Sequence, residues 1–231
     1  MVAQRPNIRA LWTVLLLGTA FSCAQLVAAL VSRSNSLMSD ALSMFVDDFA
    51  YAMNLAAEYR PDRERAIKIA APAVSAVLLL GVTAYSISAA VDELGGDEDE
   101  EVLGSVVLAF GGANLVFDGA MLCSILLRDR SGTEGAALAT RWRGVSATRE
   151  LNLFSALAHV VADTLRSATQ IVVGSLILSG YGVASSSEVD AVGTLVISSI
   201  ILVGAARLVY EVGLHVSEWR RSPQPAEMLT E

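Results

Sequence analysis

Six apolar runs dominate the sequence, and each of them is more than twenty residues long. A helix needs roughly 20 apolar residues to cross the hydrocarbon core of a bilayer. The runs cover residues 10–31, 36–59, 66–91, 102–127, 151–179 and 189–212. They show no sustained alternation of period two, which argues against a spanning barrel of strands. We therefore predict an all-α integral membrane protein that crosses the bilayer six times.

The composition agrees with this class, because 54% of the 231 residues are hydrophobic and only 17% are charged. Soluble domains carry about a quarter charged residues. The first run follows Arg5 and Arg9, but it is longer than the apolar part of a signal peptide and five more runs follow. We expect one transmembrane domain over residues 1–216 and a short, disordered cytoplasmic tail over 217–231.

The charged loops predict the topology. Thirteen of the sixteen Lys and Arg residues lie before the first run, between the second and third, between the fourth and fifth, or after the sixth. Positive charge accumulates on the cytoplasmic side of membrane proteins, so both termini are predicted to be cytoplasmic. This also explains the Arg-rich loops without a nucleic-acid partner. The acidic loop Asp92–Glu101 falls on the opposite side, as a solvated turn or as a funnel that collects cations.

Ionisable side chains inside the runs are the functional candidates, because they are costly in a bilayer and usually face the interior of a bundle. Those away from the ends of the runs are Asp40, Asp47, Asp48, Asp118, His159, Asp163, Arg166 and Arg207. Asp47 lies 13 residues from Arg60, and His159 and Asp163 lie 10 and 14 residues from Arg149. These separations correspond to roughly 15 to 21 Å of helix, near the membrane midplane. Asp118 falls at a similar depth.

His159 and Asp163 are four residues apart and share a helix face. An imidazole and carboxylates at one depth are a ligand set for Zn²⁺, and a set richer in oxygen shifts the preference toward Mn²⁺. A hydrogen-bonded pair that only fixes helix packing is the structural alternative. The sequence contains no HExxH motif and no Gly-rich phosphate loop, so we predict a protein that is not an enzyme and holds no permanent cofactor.

Three of the runs resemble helices of the cation diffusion facilitator family. The segment SNSLMSDALSMFVDDFAYAMNL resembles its second transmembrane helix, and ELNLFSALAHVVADTLRSATQIVVGSLIL resembles its fifth. The segment EVDAVGTLVISSIILVGAARLVYEVGLHV resembles its sixth. The resemblance extends from residue 10 to about residue 216. It implies a six-helix bundle that exports or sequesters a divalent metal, usually Zn²⁺, in exchange for protons.

The resemblance also implies a metal site made by paired residues on helices two and five. The fifth-helix pair falls on His159 and Asp163, and the second-helix carboxylate falls on Asp47. The remaining position is Ser43, which departs from the family because serine is a poor Zn²⁺ ligand. Water, Asp40, Asp48 or Asp118 would then supply the fourth ligand.

Other features depart from the family or add candidates. Arg166 stands where the family has a small residue, and it would either repel a metal and neutralise Asp163 or pair with Asp40. Asn114 and Asp118 share a face and are candidates to line the path or to bond across the bundle. Gly111, Gly112 and Gly119 predict close helix packing. The cytoplasmic domain of the family has no counterpart after residue 216.

Two functions follow from these features. The first is a proton-coupled transporter of Zn²⁺, with Mn²⁺ or Cd²⁺ as other cargoes, in the plasma membrane or an organelle membrane. The second is a non-transporting accessory subunit or regulator of another membrane protein. Either form could dimerise with itself or with a relative through its helices. Convergence of Asp47, His159 and Asp163 with Arg166 turned away would favour transport, and a salt bridge from Arg166 into that centre would favour the second function.

Overall fold

The computed structural model describes residues 8–60, 64–96, 101–131, 147–180 and 184–221, with side chains over narrower parts of these ranges. Within these ranges all regular structure is helical. The helices are α1 (Ile8–Ser32), α2 (Asn35–Tyr59), α3 (Glu64–Gly95), α4 (Gly104–Ser131), α5 (Ala147–Ser179) and α6 (Ser186–Arg221). Each predicted apolar run falls on one helix, so the six-helix prediction is confirmed.

The lengths and surfaces of the helices suit a bilayer. Four of them contain a stretch long and apolar enough to span it, namely Leu15–Ser32, Ala70–Gly95, Val161–Ser179 and Ser186–Tyr210. In α4 the apolar stretch is the shorter Gly104–Ala120. In α2 the helix is continuous, but its apolar sequence is interrupted by Asp40, Asp47 and Asp48. Large apolar side chains such as Val116 and Val203 point away from the bundle and are exposed. The chain is an integral, multi-pass membrane protein.

The helices form a closed ring in the order α1, α4, α5, α6, α3, α2. The most extensive contacts join α3 to α6 and α4 to α5, and those of α1 and α3 with α2 come next. Helix α2 also contacts α5 and α6, which lie on the other side of the ring. Polar side chains of α2 can therefore meet those of α5 inside the bundle.

One end of the bundle is closed by hydrogen bonds between the loops and turns that join its helices. The backbone N–H of Leu103 donates to the carbonyl of Ser32 over 3.1 Å, and that of Val102 donates to Ser186 Oγ over 3.1 Å. The turn from α1 to α2, the start of α4 and the start of α6 thus lie side by side. We call this the outer end, because the loop charges predict that it faces away from the cytoplasm. Residues 97–100 of the acidic loop and residues 222–231 of the predicted tail lie outside the described residues.

Helices α4 and α5 pack so closely that their backbones touch. A Cβ atom added to Gly174 would stand 2.6 Å from the backbone nitrogen of Leu108. One added to Gly111 would stand 2.8 Å from Gln170 Cβ. Small residues permit this approach, as predicted for Gly111. The same prediction was wrong for Gly112 and Gly119, where an added Cβ would meet nothing within 4 Å.

Candidate functional site

A buried carboxylate, Asp40 of α2, is the centre of a polar cluster that joins four helices. Its Oδ2 accepts hydrogen bonds from Gln25 Nε2 at 2.8 Å, Asn114 Nδ2 at 2.9 Å and Gln170 Nε2 at 2.9 Å. The donors come from α1, α4 and α5, and all four side chains are buried. We call these four residues the Asp40 cluster. Three donors on one oxygen replace the hydration that a buried carboxylate loses.

The carboxamides of the Asp40 cluster also bond to one another. Asn114 Nδ2 lies 3.3 Å from Gln25 Oε1 and 3.3 Å from Gln170 Oε1. Each glutamine thus donates to the carboxylate and accepts from the asparagine, so the amide orientations support each other. Of these residues, the sequence predicted Asp40 and Asn114 as candidates. It missed Gln25 and Gln170, because a search for ionisable groups passes over neutral amides within apolar runs.

Arg166 of α5 lies next to the Asp40 cluster and bridges α2 and α5. Its Nη1 donates to Ser43 Oγ and its Nη2 donates to Asp163 Oδ1. Its Nε lies 3.4 Å from Asp40 Oδ1, within ion-pair distance. Both pairings that the sequence left open, with Asp163 and with Asp40, therefore occur together. Ser43 in turn donates its hydroxyl proton to the carbonyl oxygen of Asp40, over 2.7 Å.

The guanidinium brings together the positions that the sequence predicted to be ligands. Ser43 and Asp163 belong to the predicted pairs on α2 and α5, and one side chain contacts both. Asp47, the other predicted α2 ligand, acts electrostatically on the same guanidinium. Tyr51, one turn further along α2, is an electrostatic neighbour of both Asp47 and Asp163. His159 lies on α5, one turn from Asp163, but its side chain is outside the described residues.

The other predicted carboxylates lie at the edges of this centre. Asp48 turns toward α1, where its Oδ2 accepts from Ser22 Oγ over 3.0 Å. A Cβ added to Gly18 would stand 2.6 Å from Asp48 Oδ1, so a larger residue there would displace the Asp48 carboxylate. Asp118 of α4 accepts from Ser167 Oγ over 3.1 Å. It also interacts electrostatically with Asp163, Arg166 and Asp40.

The charges in this region do not cancel. Asp40, Asp47, Asp118 and Asp163 contribute four carboxylates, and Arg166 is the cation among them. In the part of the chain whose side chains are described, no three His, Cys, Asp or Glu residues are grouped closely enough to hold a metal ion. The side chain of His159, which the sequence predicted as the third strong ligand, lies outside that part of the chain. The region thus combines an excess of acceptors with one internal cation.

A second buried carboxylate, Asp190 of α6, lies at the outer end. Its Oδ1 accepts from Ser34 Oγ at 2.7 Å and Ser36 Oγ at 2.6 Å, and its Oδ2 accepts from the backbone N–H of Ser36 at 3.0 Å. We call these three residues the Asp190 cluster. Beside it, Glu93 of α3 accepts from Asn35 Nδ2 and Ser187 Oγ, both at 2.7 Å. These bonds fix the start of α2 against α3 and α6.

The comparison with protein families agrees with the six-helix bundle. The model of the cation efflux transmembrane domain matches residues 11–215, which is most of the chain. The match includes every residue of the polar clusters described above. No curated protein matches the sequence. The match spans the six-helix arrangement and the residues of α2 and α5 that resembled the family in the sequence. The chain belongs to the cation efflux family.

Proposed function

We propose that this protein transports a divalent metal cation, with Zn²⁺ as its main cargo, out of the cytoplasm in exchange for protons. The ion would bind near the midplane between α2 and α5, at Asp47, His159 and Asp163. Asp40, Asp48, Asp118, Ser43 and Asn114 are further candidates for the path or for a fourth ligand. Membership of the cation efflux family supports cation transport in general.

One observation carries this proposal. Arg166 contacts Ser43 of α2 and Asp163 of α5 with the same guanidinium, so these two positions face each other across the bundle. Ser43 shares a helix face with Asp47, and Asp163 shares one with His159, because the members of each pair are four residues apart. This arrangement supports a site in which the candidate ligands of the two helices would be directed toward one another.

The ligand chemistry supports Zn²⁺ and proton exchange. One imidazole and two carboxylates suit a tetrahedral cation, with water or a further carboxylate in the fourth position. Imidazole and carboxylate groups must be deprotonated before they bind a metal, so metal and protons compete for them. Metal loading at the cytoplasmic side and proton loading at the far side would then alternate as the helices rock around the site. Mn²⁺ and Cd²⁺ are the alternative cargoes.

The experiment is Zn²⁺ binding by calorimetry to the purified, detergent-solubilised protein, followed by Zn²⁺ flux in vesicles. His159→Ala should abolish binding, and acid should weaken it in the wild type. The matched control is His215→Ala, which removes the other histidine of the chain. Equal binding by the wild type and His159→Ala would rule out the proposed site. Zn²⁺ flux that moves no protons in the opposite direction would rule out the proton coupling.

A second function has one observation in its favour. Arg166 bonds directly to Asp163, and a fixed positive charge at that position opposes a metal ion. A bundle with this bond made permanent would serve as an accessory subunit or regulator of another membrane protein. Absence of Zn²⁺, Mn²⁺ and Cd²⁺ binding to intact wild-type protein would select this function.

A further inference from the structure

The contacts of Arg166 place a positive charge where the proposed function needs a metal ion. The side chain is buried, and its two terminal nitrogens donate to Ser43 and Asp163. An arginine side chain stays protonated in proteins, so this charge is permanent. A metal bound to Asp163 would meet a like charge at contact distance. The guanidinium and a metal would therefore compete for Asp163, and they cannot both bind its Oδ1.

Ser43 makes this arrangement sterically feasible. The side chain is small and fully buried, and its hydroxyl both accepts from Arg166 and donates to the backbone of Asp40. A longer ligand such as His or Asp at position 43 would extend into the volume that the guanidinium fills. The residue that weakens the predicted metal site therefore also makes room for the internal cation.

Asp40 gives Arg166 a second partner one turn toward the outer end. The three carboxamides of the Asp40 cluster all donate to Oδ2, whereas Oδ1 is the oxygen that lies 3.4 Å from Arg166 Nε. A small rotation of the guanidinium toward Oδ1 would keep it paired with a carboxylate while it leaves Asp163. Moving from the half-buried carboxylate of Asp163 to the buried one of Asp40 avoids an unpaired buried charge, which would be far more costly.

We propose that Arg166 is a tethered cation that occupies Asp163 when the site is empty and moves to Asp40 when a metal ion binds. This inference rests on the proposed function. It assigns to Arg166 the selection of cargo, because only an ion with high affinity for imidazole and carboxylates displaces the guanidinium. Na⁺ and K⁺, which bind such ligands weakly, would not. The tethered charge also neutralises part of the excess of carboxylates while the transporter is empty.

The experiment compares Zn²⁺ affinity of the full-length protein by calorimetry in the wild type, Arg166→Ser and Arg166→Gln. Removing the internal competitor should tighten Zn²⁺ binding by about tenfold or more. Arg166→Gln keeps much of the side-chain length, so it serves if the serine variant does not fold. The control is Arg60→Ser, which removes an exposed charge at the end of α2 and should leave the affinity unchanged.

Guanidinium ion then tests whether the effect comes from the vacated position. At about 10 mM it should weaken Zn²⁺ binding to Arg166→Ser by competing for the same position, with no effect on the wild type, whose position is filled. A structural role of Arg166 would not produce this difference. Na⁺ at the same concentration is the control for ionic strength.

The outcomes separate this inference from the proposed function. Unchanged or weaker Zn²⁺ binding by both Arg166 variants, beside His159-dependent binding by the wild type, would overturn the tethered cation and leave the transport proposal standing. Binding by Arg166→Ser but not by the wild type would support the tethered cation and count against transport by the natural chain. Absence of binding to every variant would overturn both.

Discussion

Two buried carboxylates in this bundle are stabilised in different ways. Asp40 accepts three carboxamide N–H bonds and lies beside the Arg166 guanidinium. Asp190 accepts two hydroxyl groups and the backbone N–H of Ser36, in the first turn of α2, where the positive end of the helix dipole adds to the stabilisation. The first carboxylate is compensated by neutral carboxamides and a charged side chain, and the second by neutral donors alone.

The difference distinguishes a functional use of a buried charge from a structural one. The Asp190 cluster is local to the outer end and fixes the turn between α1 and α2 against α6, so it has no side chain that could exchange partners over a distance. The Asp40 cluster lies next to Arg166, whose long side chain already contacts two carboxylates. We infer that the Asp190 cluster holds helices together, whereas the Asp40 cluster holds them together and also receives a charge.

The largest effect is expected at Asp40 itself. Asp40→Ala removes the common acceptor of three buried carboxamides and one of the carboxylates beside Arg166. Three buried carboxamides without their acceptor, together with a weakened ion pair at Arg166, should lower the free energy of unfolding by about 3 kcal/mol or more. Denaturant unfolding in detergent measures it.

Asp40→Asn is the matched control, since it keeps the size and one acceptor oxygen while it removes the charge. Its loss of stability should be smaller than that of Asp40→Ala. Equal stability of the wild type and Asp40→Ala would contradict the role of Asp40 as the centre of the cluster.

The sequence was sufficient for the fold, because the bilayer limits the choices. Without water in the hydrocarbon region, each spanning segment satisfies its backbone within a helix. Six long apolar runs therefore predicted six helices, and the resemblance on α2 and α5 predicted the family that the comparison then showed. The orientation of the termini stays a prediction from loop charges.

The site was harder to predict, because side-chain partners depend on the packing of helices distant in sequence. Spacing along one helix placed Asp163 and Arg166 on nearly one face, but it could not decide between Asp163 and Asp40 as the partner of Arg166. Gln25 and Gln170 are 145 residues apart. Both bond to Asp40 because α1, α4 and α5 each direct one carboxamide of the Asp40 cluster toward α2. A search for amides as well as charges within apolar runs would have found both.

The next largest effect is expected at Gly111. At this residue α4 packs against the part of α5 that carries Gln170 of the Asp40 cluster. Gly111→Ala would place a Cβ 2.8 Å from Gln170 Cβ and 3.1 Å from the backbone nitrogen of Ile171. Such overpacking costs about 1–3 kcal/mol and would shift Gln170 away from Asp40. Thermal unfolding in detergent should show a lower transition temperature.

Gly112→Ala is the control for that substitution, because an added Cβ there meets nothing within 4 Å. Alanine is the better helix former, so this variant should be as stable as the wild type or slightly more stable. A similar loss for both glycine variants would mean that contact with Gln170 does not cause the effect.

The smallest effect is expected in the Asp190 cluster, at Ser34. This residue is the N-cap of α2, where its Oγ accepts from the backbone N–H of Leu37 at 3.1 Å and donates to Asp190 Oδ1 at 2.7 Å. Ser34→Ala should lower the free energy of unfolding by about 1 kcal/mol, which is typical for the loss of a cap. Ser179→Ala, at an exposed hydroxyl that bonds within its own helix, should change it little.

The sharper measurement on Ser34→Ala is Zn²⁺ affinity, because it tests the division between the two carboxylates. If the Asp190 cluster only joins helices, the variant should lose stability and keep the wild-type affinity and its dependence on His159. A change in affinity as large as that expected for Arg166→Ser would show that the outer end and the α2–α5 centre respond together. The Asp190 carboxylate would then belong to the transport path.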